Sequence, residues 1–251
     1  MIKNEELLIL KSTVIGCYTI EMKLKNEYIS RTAQPGQFIH IQVPGFTLRR
    51  PISIIETNRS EQTVTIVFKM VGNGMKALGN YQPGTVIQAL GPNGNGFPRP
   101  QTNDGTILLV GGGVGIPPLH FLGQTLAKET GQHIISILGF QSKPYVFYEE
   151  AFKQFGDTYI VTNDGSYGSK GFVTDVINRV DHFSEYYTCG PLPMLKAVTE
   201  QLTNIPGFIS LEERMGCGVG ACFACVLPTE DGGYRKICQD GPVFKAGEVC
   251  I

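Results

Sequence analysis

The chain lacks a charge excess of either sign. Over 251 residues, 21 Lys and Arg stand against 22 Asp and Glu, a formal net charge of −1. That balance excludes the basic footprint of a nucleic-acid binder and an electrostatic membrane anchor. A long uninterrupted apolar run is also missing: the most apolar stretch, "TILLVGGGVGIPPLHFL", is broken by "GGGVGIPP" and cannot form a continuous spanning helix. The opening "MIKNEELLIL" carries two acidic residues where a secretory leader requires apolar ones. There is no internal repeat and no low-complexity tail. No paired acid–base constellation is visible, and His40, His120, His133 and His182 belong to no motif, so they are expected to be structural or exposed. The expectation is a cytoplasmic chain with neither a nucleic-acid nor a membrane partner and no catalytic acid or base of its own.

What is abundant is glycine, 31 residues, and a local concentration of cysteine. Three of the seven cysteines fall in "MGCGVGACFACVLP", in the order Cys217-x4-Cys222-x2-Cys225, followed by twelve residues and then Cys238. In a reducing compartment such clustering points to metal or redox chemistry rather than disulfides. The C-x4-C-x2-C spacing with a distant fourth Cys is that of plant-type [2Fe–2S] ligation. Gly216, Gly218 and Gly220 let a loop wrap closely and bring N–H groups to the sulfurs. "CVLPTEDGGYRKIC" reads as a hairpin that returns Cys238 to the others. A structural zinc is the alternative, although zinc knuckles pair two C-x2-C units and only one is present. Cys17 and Cys250 have no spacing partner.

The first hundred residues read as short strands separated by turn signals, "QPGQ", "VPG", "TNRSEQ" and "YQPGT", which predicts a small antiparallel barrel over 1–101. From 102 to 210 strand and helix alternate, predicting a doubly wound parallel sheet. Residues 211–251 form a Cys/Gly-rich module.

Within the alternating region, "ILLVGGGVGIPPLHFL" is strand, glycine turn, helix. Gly111, Gly112, Gly113 and Gly115 would admit a dinucleotide pyrophosphate at the start of that helix. No Asp or Glu ends the second strand, where "LGFQSK" stands, so the choice between NADH and NADPH stays open. "YYTCGPLPML" puts Cys189, Gly190 and Pro191 at the end of a later strand, where ligands of open α/β sheets bind. A thiol there could lie against a nicotinamide or simply be a buried small residue. In the barrel, "TLRRPISII" and "VFKMVGNGMKAL" are the informative stretches: Arg50 suits a phosphate, and "GNGM" opens a short helical pattern.

"RPIS" in a barrel, then "GGGVGIPP", then "CGP", resembles the ferredoxin–NADP reductase superfamily. The tail "LEERMGCGVGACFACVLP…CQDGPVF" resembles, within it, the electron-transfer subunits of class 1B dihydroorotate dehydrogenases. The likeness covers essentially the whole chain. It implies an FAD lined by Arg50, Pro51, Ile52 and Ser53, with Val67, Phe68 and Lys69 as a second segment and Gly74 and Met75 as a third. Thr is more usual at Met75 and Arg at Lys69, so Lys69 keeps the charge without the bidentate geometry. It implies that Cys217, Cys222, Cys225 and Cys238 hold the cluster, and that NAD occupies the second domain.

The resemblance further implies an FMN-containing catalytic partner that oxidises dihydroorotate to orotate, in a heterotetramer of two of each subunit. This chain would pass electrons singly through the cluster to FAD, and from FAD as hydride to NAD⁺. Two other readings remain: a related flavin/iron–sulfur NAD(P)H oxidoreductase subunit serving a ferredoxin or a hydrogenase, and a zinc-stabilised module without redox function. The cluster loop, Gly218 to Phe223, is the expected docking edge.

Overall fold

The computed structural model describes residues 1–101 and 105–251; the expected boundary at 101/102 adjoins residues outside that set. Six antiparallel strands close into a barrel: β1 (Lys3–Gly16), β2 (Thr19–Lys25), β3 (Phe38–Gln42), β4 (Arg50–Asn58), β5 (Thr63–Lys69) and β6 (Val86–Asn93), in the order β1-β2-β5-β4-β3-β6. Alternation explains the closure. Leu7 and Ile9 of β1, Met22 and Leu24 of β2, and Ile39 and Ile41 of β3 point inward and are fully buried, while their neighbours face out. Two short helices cap the barrel. α1 (Glu27–Thr32) starts at Asn26, whose side chain accepts from the Ile29 amide, and α2 (Gly72–Gly79) follows the end of β5.

The second region is a seven-stranded sheet. Its core strands are β7 (Ile107–Gly112), β8 (Ile134–Phe140), β9 (Asp157–Thr162), the short β10 (Ser169–Lys170), β11 (Glu185–Cys189) and β12 (Gly207–Ser210). These pair in parallel, and β7, at the centre, is buried on both faces, so it reads as the unbroken apolar run "ILLVGG". The connecting helices are α3 (Ile116–Glu129), α4 (Glu149–Lys153), α5 (Val173–Ile177) and α6 (Leu192–Gln201). Helices α4 and α5 are single turns, shorter than their periodic segments imply, because each ends in a tight turn against the sheet.

The C-terminal segment carries the hairpin β13 (Val226–Pro228) and β14 (Tyr234–Lys236), then β15 (Val243–Lys245), which pairs antiparallel with β12 and becomes the edge strand of the large sheet. The cysteine-rich tail is thus built onto the sheet. It also meets the barrel: the Asn95 amide donates to Gly241 O at 2.6 Å, and the Asn95 side chain donates to the carbonyls of Gln239 and Asp240. Among the described residues no helix is long and apolar enough to cross a membrane.

Barrel and sheet are joined by named contacts. The Cys17 amide donates to Pro144 O at 2.8 Å, and Tyr148 donates from its hydroxyl to the Glu21 carboxylate. Tyr148 adopts φ 64°, a left-handed conformation rare for an aromatic residue. Its ring packs beside His120 of α3, whose Nδ1 lies 3.4 Å from Ile55 O on β4.

Candidate functional site

Two cavities open where the barrel meets the sheet, and a thiolate loop closes one side. The first, about 440 Å³, is walled by Arg50, Pro51, Ile52 and Ser53 of β4, Val67, Phe68 and Lys69 of β5, and Met75 of α2. The residues singled out on separate barrel segments therefore share one wall. Gly74 is buried under Arg50, because a Cβ at Gly74 would lie 2.3 Å from the guanidinium. Only glycine lets the Arg50 fork lie flat on α2. Arg50 is further held by its 2.6 Å bond to Leu48 O, which leaves a fixed cation at the cavity mouth. A flavin diphosphate suits this arrangement of cation, small-residue floor and strand edge.

Sequence reasoning missed Phe38, on β3 beside Ser53, and the rest of the lining, Val114, Leu211, Glu212, Arg214 and Met215. Glu212 keeps accessible surface where it lines the cavity. Burial among the surrounding protein raises its carboxyl above the ordinary range, against the opposing pull of Lys69. The signal was position: "LEERM" ends two positions before Cys217.

The second cavity, about 490 Å³, is lined by Gly112 and Gly113, by Gly139 to Gln141 at the end of β8, by Asn163 after β9, and by Phe172, Pro191 and Met194. Lys69 lines both cavities, and its ammonium stands 5.4 Å from the Tyr145 ring. Of the expected nucleotide residues, Gly112, Gly113 and Pro191 reach this cavity. Gly111, Gly115, Cys189 and Gly190 do not; they let the strand ends approach one another. A Cβ on Gly115 would lie 2.3 Å from Cys189 O, and one on Gly190 would strike Met194. Cys189 itself is 1 % exposed, lines neither cavity, and burial drives its thiol pKa far up. Asn163 and Phe172 were missed, since nothing local marks a loop residue that only folding turns toward a cavity.

The four cysteines of the C-terminal loop come together in two pairs, the Cys222 side chain beside Cys217 and the Cys225 side chain beside Cys238. Backbone amides aim at the sulfurs. Val219 and Ala221 donate to Cys217 Sγ at 3.4 and 3.2 Å, Gly220 to Cys238 Sγ at 3.2 Å, and Cys217 to Cys222 Sγ at 3.3 Å. Burial works against the Cys217 thiolate, but these donors bring it down to about 6; burial and the neighbouring Cys225 push Cys238 up to about 12. A Cβ on Gly216 would lie 2.9 Å from Cys222 Sγ. Four sulfurs in two pairs, cradled by N–H donors, fit a two-iron cluster, in which each iron takes two protein ligands. Among the described residues no group of three or more His, Cys, Asp or Glu is arranged around a single-ion position. Cys222 is exposed and Cys225 and Cys238 are buried, so the loop presents one pair outward.

Loop and flavin cavity share a layer of side chains. Phe38, Leu211 and Met215 line the cavity and also pack in the core that contains Cys225 and Cys238. His40 and Asn93 lie fully buried below the loop. Burial lowers the His40 pKa to about 4 against a smaller opposing effect of the Arg49 backbone, so its ring is neutral at neutral pH.

A closed barrel, a parallel sheet with helices, a cavity beside each, and a cysteine loop against the first make a ferredoxin reductase-like fold with a cysteine-rich extension. A family model described as the iron–sulfur cluster binding domain of dihydroorotate dehydrogenase B matches residues 212–250. Two curated proteins, from Shouchella clausii (strain KSM-K16) and Geobacillus kaustophilus (strain HTA426), are 49% and 46% identical to this chain. The alignments cover 99% of this chain and 99% of the first relative, and 100% of both in the second case. Each relative is named dihydroorotate dehydrogenase B (NAD(+)), electron transfer subunit. Among solved structures, one described as an NADH-dependent reduced ferredoxin-NADP oxidoreductase superposes with a TM-score of 0.90 and 31% identity, over 97% of this chain and 89% of that one. The ferredoxin reductase of carbazole 1,9a-dioxygenase, with a TM-score of 0.71 and 20% identity over 81% of this chain and 67% of that one, shares the fold. The chain belongs to the family of dihydroorotate dehydrogenase B electron transfer subunits.

Proposed function

We propose that the chain carries electrons from a dihydroorotate-oxidising, FMN-containing catalytic subunit to NAD⁺, in pyrimidine biosynthesis, within a cytoplasmic heterotetramer of two subunits of each kind. The observation that carries this reading is the shared layer Phe38, Leu211 and Met215, which puts the flavin cavity and the thiolate loop back to back. When bound, the cluster supplies single electrons and the flavin converts them to the hydride that a nicotinamide accepts.

The residues have distinct tasks. Arg50 would neutralise the diphosphate of a bound FAD, Gly74 gives its guanidinium room, and Met75 would offer only backbone N–H there. Ser53 stands in the same wall and would meet the ring of a bound flavin. Lys69, common to both cavities, balances negative charge on either side of the partition. Pro117 and Pro118 deprive the first turn of α3 of two amide donors. A dinucleotide diphosphate would therefore rest on the amides of Gly112 and Gly113 more than on the helix end. Cys217, Cys222, Cys225 and Cys238 would ligate the irons, and amide donors to their sulfurs raise the potential. We also assign three units, 1–101 for FAD, 102–210 for the nucleotide and 211–251 for the cluster, the last contributing β15 to the sheet.

The test is a visible spectrum of the purified protein, repeated anaerobically after NADH. Flavin bands and an iron–sulfur shoulder that both bleach support the reading. A protein that stays colourless after reconstitution with iron, sulfide and FAD overturns it. The 31% identity and 0.90 TM-score to the reduced ferredoxin-NADP oxidoreductase favour a second reading, a ferredoxin-type partner. Co-purification with an FMN-binding chain that turns over dihydroorotate decides for the first.

A further inference from the structure

The barrel face that carries the flavin wall also carries two buried polar residues without an assigned task. In β3, Ile39 and Ile41 fill the barrel core, so Phe38 and His40 face outward. Phe38 stands opposite Ser53 on one side and Asn93 on the other, and His40 opposite Pro51. A register shift between Phe38 and His40 in the β3–β6 pairing brings Asn93 to the end of the ladder, beneath the cluster loop.

His40 and Asn93 are both 0% exposed, and among the described residues neither ring nitrogen of His40 nor Oδ1 of Asn93 has a hydrogen-bond partner. Two half-satisfied polar side chains at the centre of a packed face cost stability, and apolar residues of similar size would cost less. Both meet the same short piece of backbone. Asn93 Nδ2 donates to Gly218 O at 3.3 Å. The His40 ring lies flush against Gly218, where a Cβ would stand 2.3 Å from Nδ1, and the backbone of Cys217 is among the polar groups that face the ring. Gly218 has φ 71°, so this contact and the turn both require glycine. From the other side Lys236 Nζ donates to Gly220 O at 2.7 Å.

We propose that His40 and Asn93 are positioning residues that seat the Cys217–Gly218 turn on the flavin barrel. They thereby fix the amides of Val219, Gly220 and Ala221 on the sulfurs of Cys217 and Cys238, and so set the potential of the cluster relative to the flavin. The proposal rests on the cluster reading above. Its physical content is that N–H donors to ligand sulfurs tune a cluster's potential, and that these three donors are held in place by a peptide pinned from below by barrel side chains and from above by the β14 lysine.

The test uses the complex of this chain with its catalytic subunit and three variants, Asn93→Leu, His40→Leu and His40→Gln. Redox titration followed by visible absorption and EPR should give a cluster midpoint and g-values displaced from the unmodified complex in Asn93→Leu and His40→Leu. His40→Gln should lie closer to the unmodified complex, and the flavin midpoint should stay in place throughout. Amide exchange at Val219, Gly220 and Ala221 should be about tenfold faster in the leucine variants, the loss of one hydrogen bond's holding. Unchanged cluster midpoint, g-values and exchange in the leucine variants overturn the proposal. If a leucine variant sheds its iron, exchange in the iron-free proteins decides: faster at the three amides supports the seat, equal rates refute it. An unmodified protein that takes up no iron refutes the cluster reading instead, and the same exchange comparison still judges the seat.

Discussion

Phe38 and Ser53 face each other across the β3–β4 ladder, and Phe38 belongs at once to the flavin cavity wall and to the core that holds Cys225 and Cys238. A single aromatic side chain therefore supports both the cavity proposed for the flavin and the core beneath the cysteine loop. Phe38 is 3% exposed. Its replacement by Ala should cost about 3–5 kcal/mol of stability through the cavity left behind. Urea denaturation checks this, and a midpoint equal to that of the unmodified protein would contradict the shared-layer description.

Lys69 borders both cavities, with no acidic side chain in a salt bridge to it among the described residues. Lys69→Ala should raise the KM for NADH about tenfold, the loss of one charge-assisted contact. Flavin content, measured on the same sample after heat release, should change less, because Arg50 remains.

The two cysteine pairs differ in exposure, and the proposed function gives both the same task as ligands. Cys225→Ser and Cys222→Ser should each abolish iron retention while the flavin absorption persists, since the flavin wall contains neither residue. Iron and flavin assays on one preparation separate this outcome from general unfolding, which would remove both.

His120 is buried between α3 and the barrel, and burial lowers its pKa against the weaker effect of the Ile55 carbonyl. The unfolded chain binds a proton near pH 6.5 that the folded chain refuses until lower pH. Stability should thus be full above pH 6.5 and decline as pH falls from there through the folded-state pKa. In His120→Gln the decline between pH 6.5 and 5, followed by thermal unfolding, should be shallower. A variant as pH-sensitive as the unmodified chain would show that other groups govern this range.

Tyr148 links sheet to barrel through Glu21 in spite of its left-handed backbone. Tyr148→Phe keeps the ring packing with His120 and removes the hydroxyl, leaving the Glu21 carboxylate without its donor. The expected loss is about 1–3 kcal/mol, read by denaturant titration. Equal stability would mean that water replaces the hydroxyl at no cost.

Much of this protein was legible one segment at a time. The strand alternation of β1 to β6, the apolar β7 before its glycine turn, and the cysteine spacing each depend on neighbours within about ten residues. The local physics of pleat, turn and chelation therefore wrote them into the sequence. Arg50 to Ser53 could be nominated because they are consecutive. The other half of the flavin cavity could not. Phe38, Glu212 and Met215 come from segments more than 170 positions apart, and no local pattern distinguishes a residue that faces a cavity from one that faces water or core. The "CGP" at the end of β11 shows the same limit: folding turns Pro191 to the second cavity and packs Cys189 against Gly115, a difference that no local pattern marks.

The sequence by itself determined what kinds of groups the chain can hold: thiolates at ligand spacing, a glycine turn before a helix, a cation beside a proline in a barrel. Only the tertiary structure decided how those groups are wired together. The closing of the barrel turns one face of β3 toward both the flavin wall and the cluster loop, and β15 anchors the tail to the sheet so that the loop arrives there. Electron transfer depends on distance and on the field at the sulfurs, both of which are properties of packing between remote segments, and packing is fixed only when the whole chain has folded.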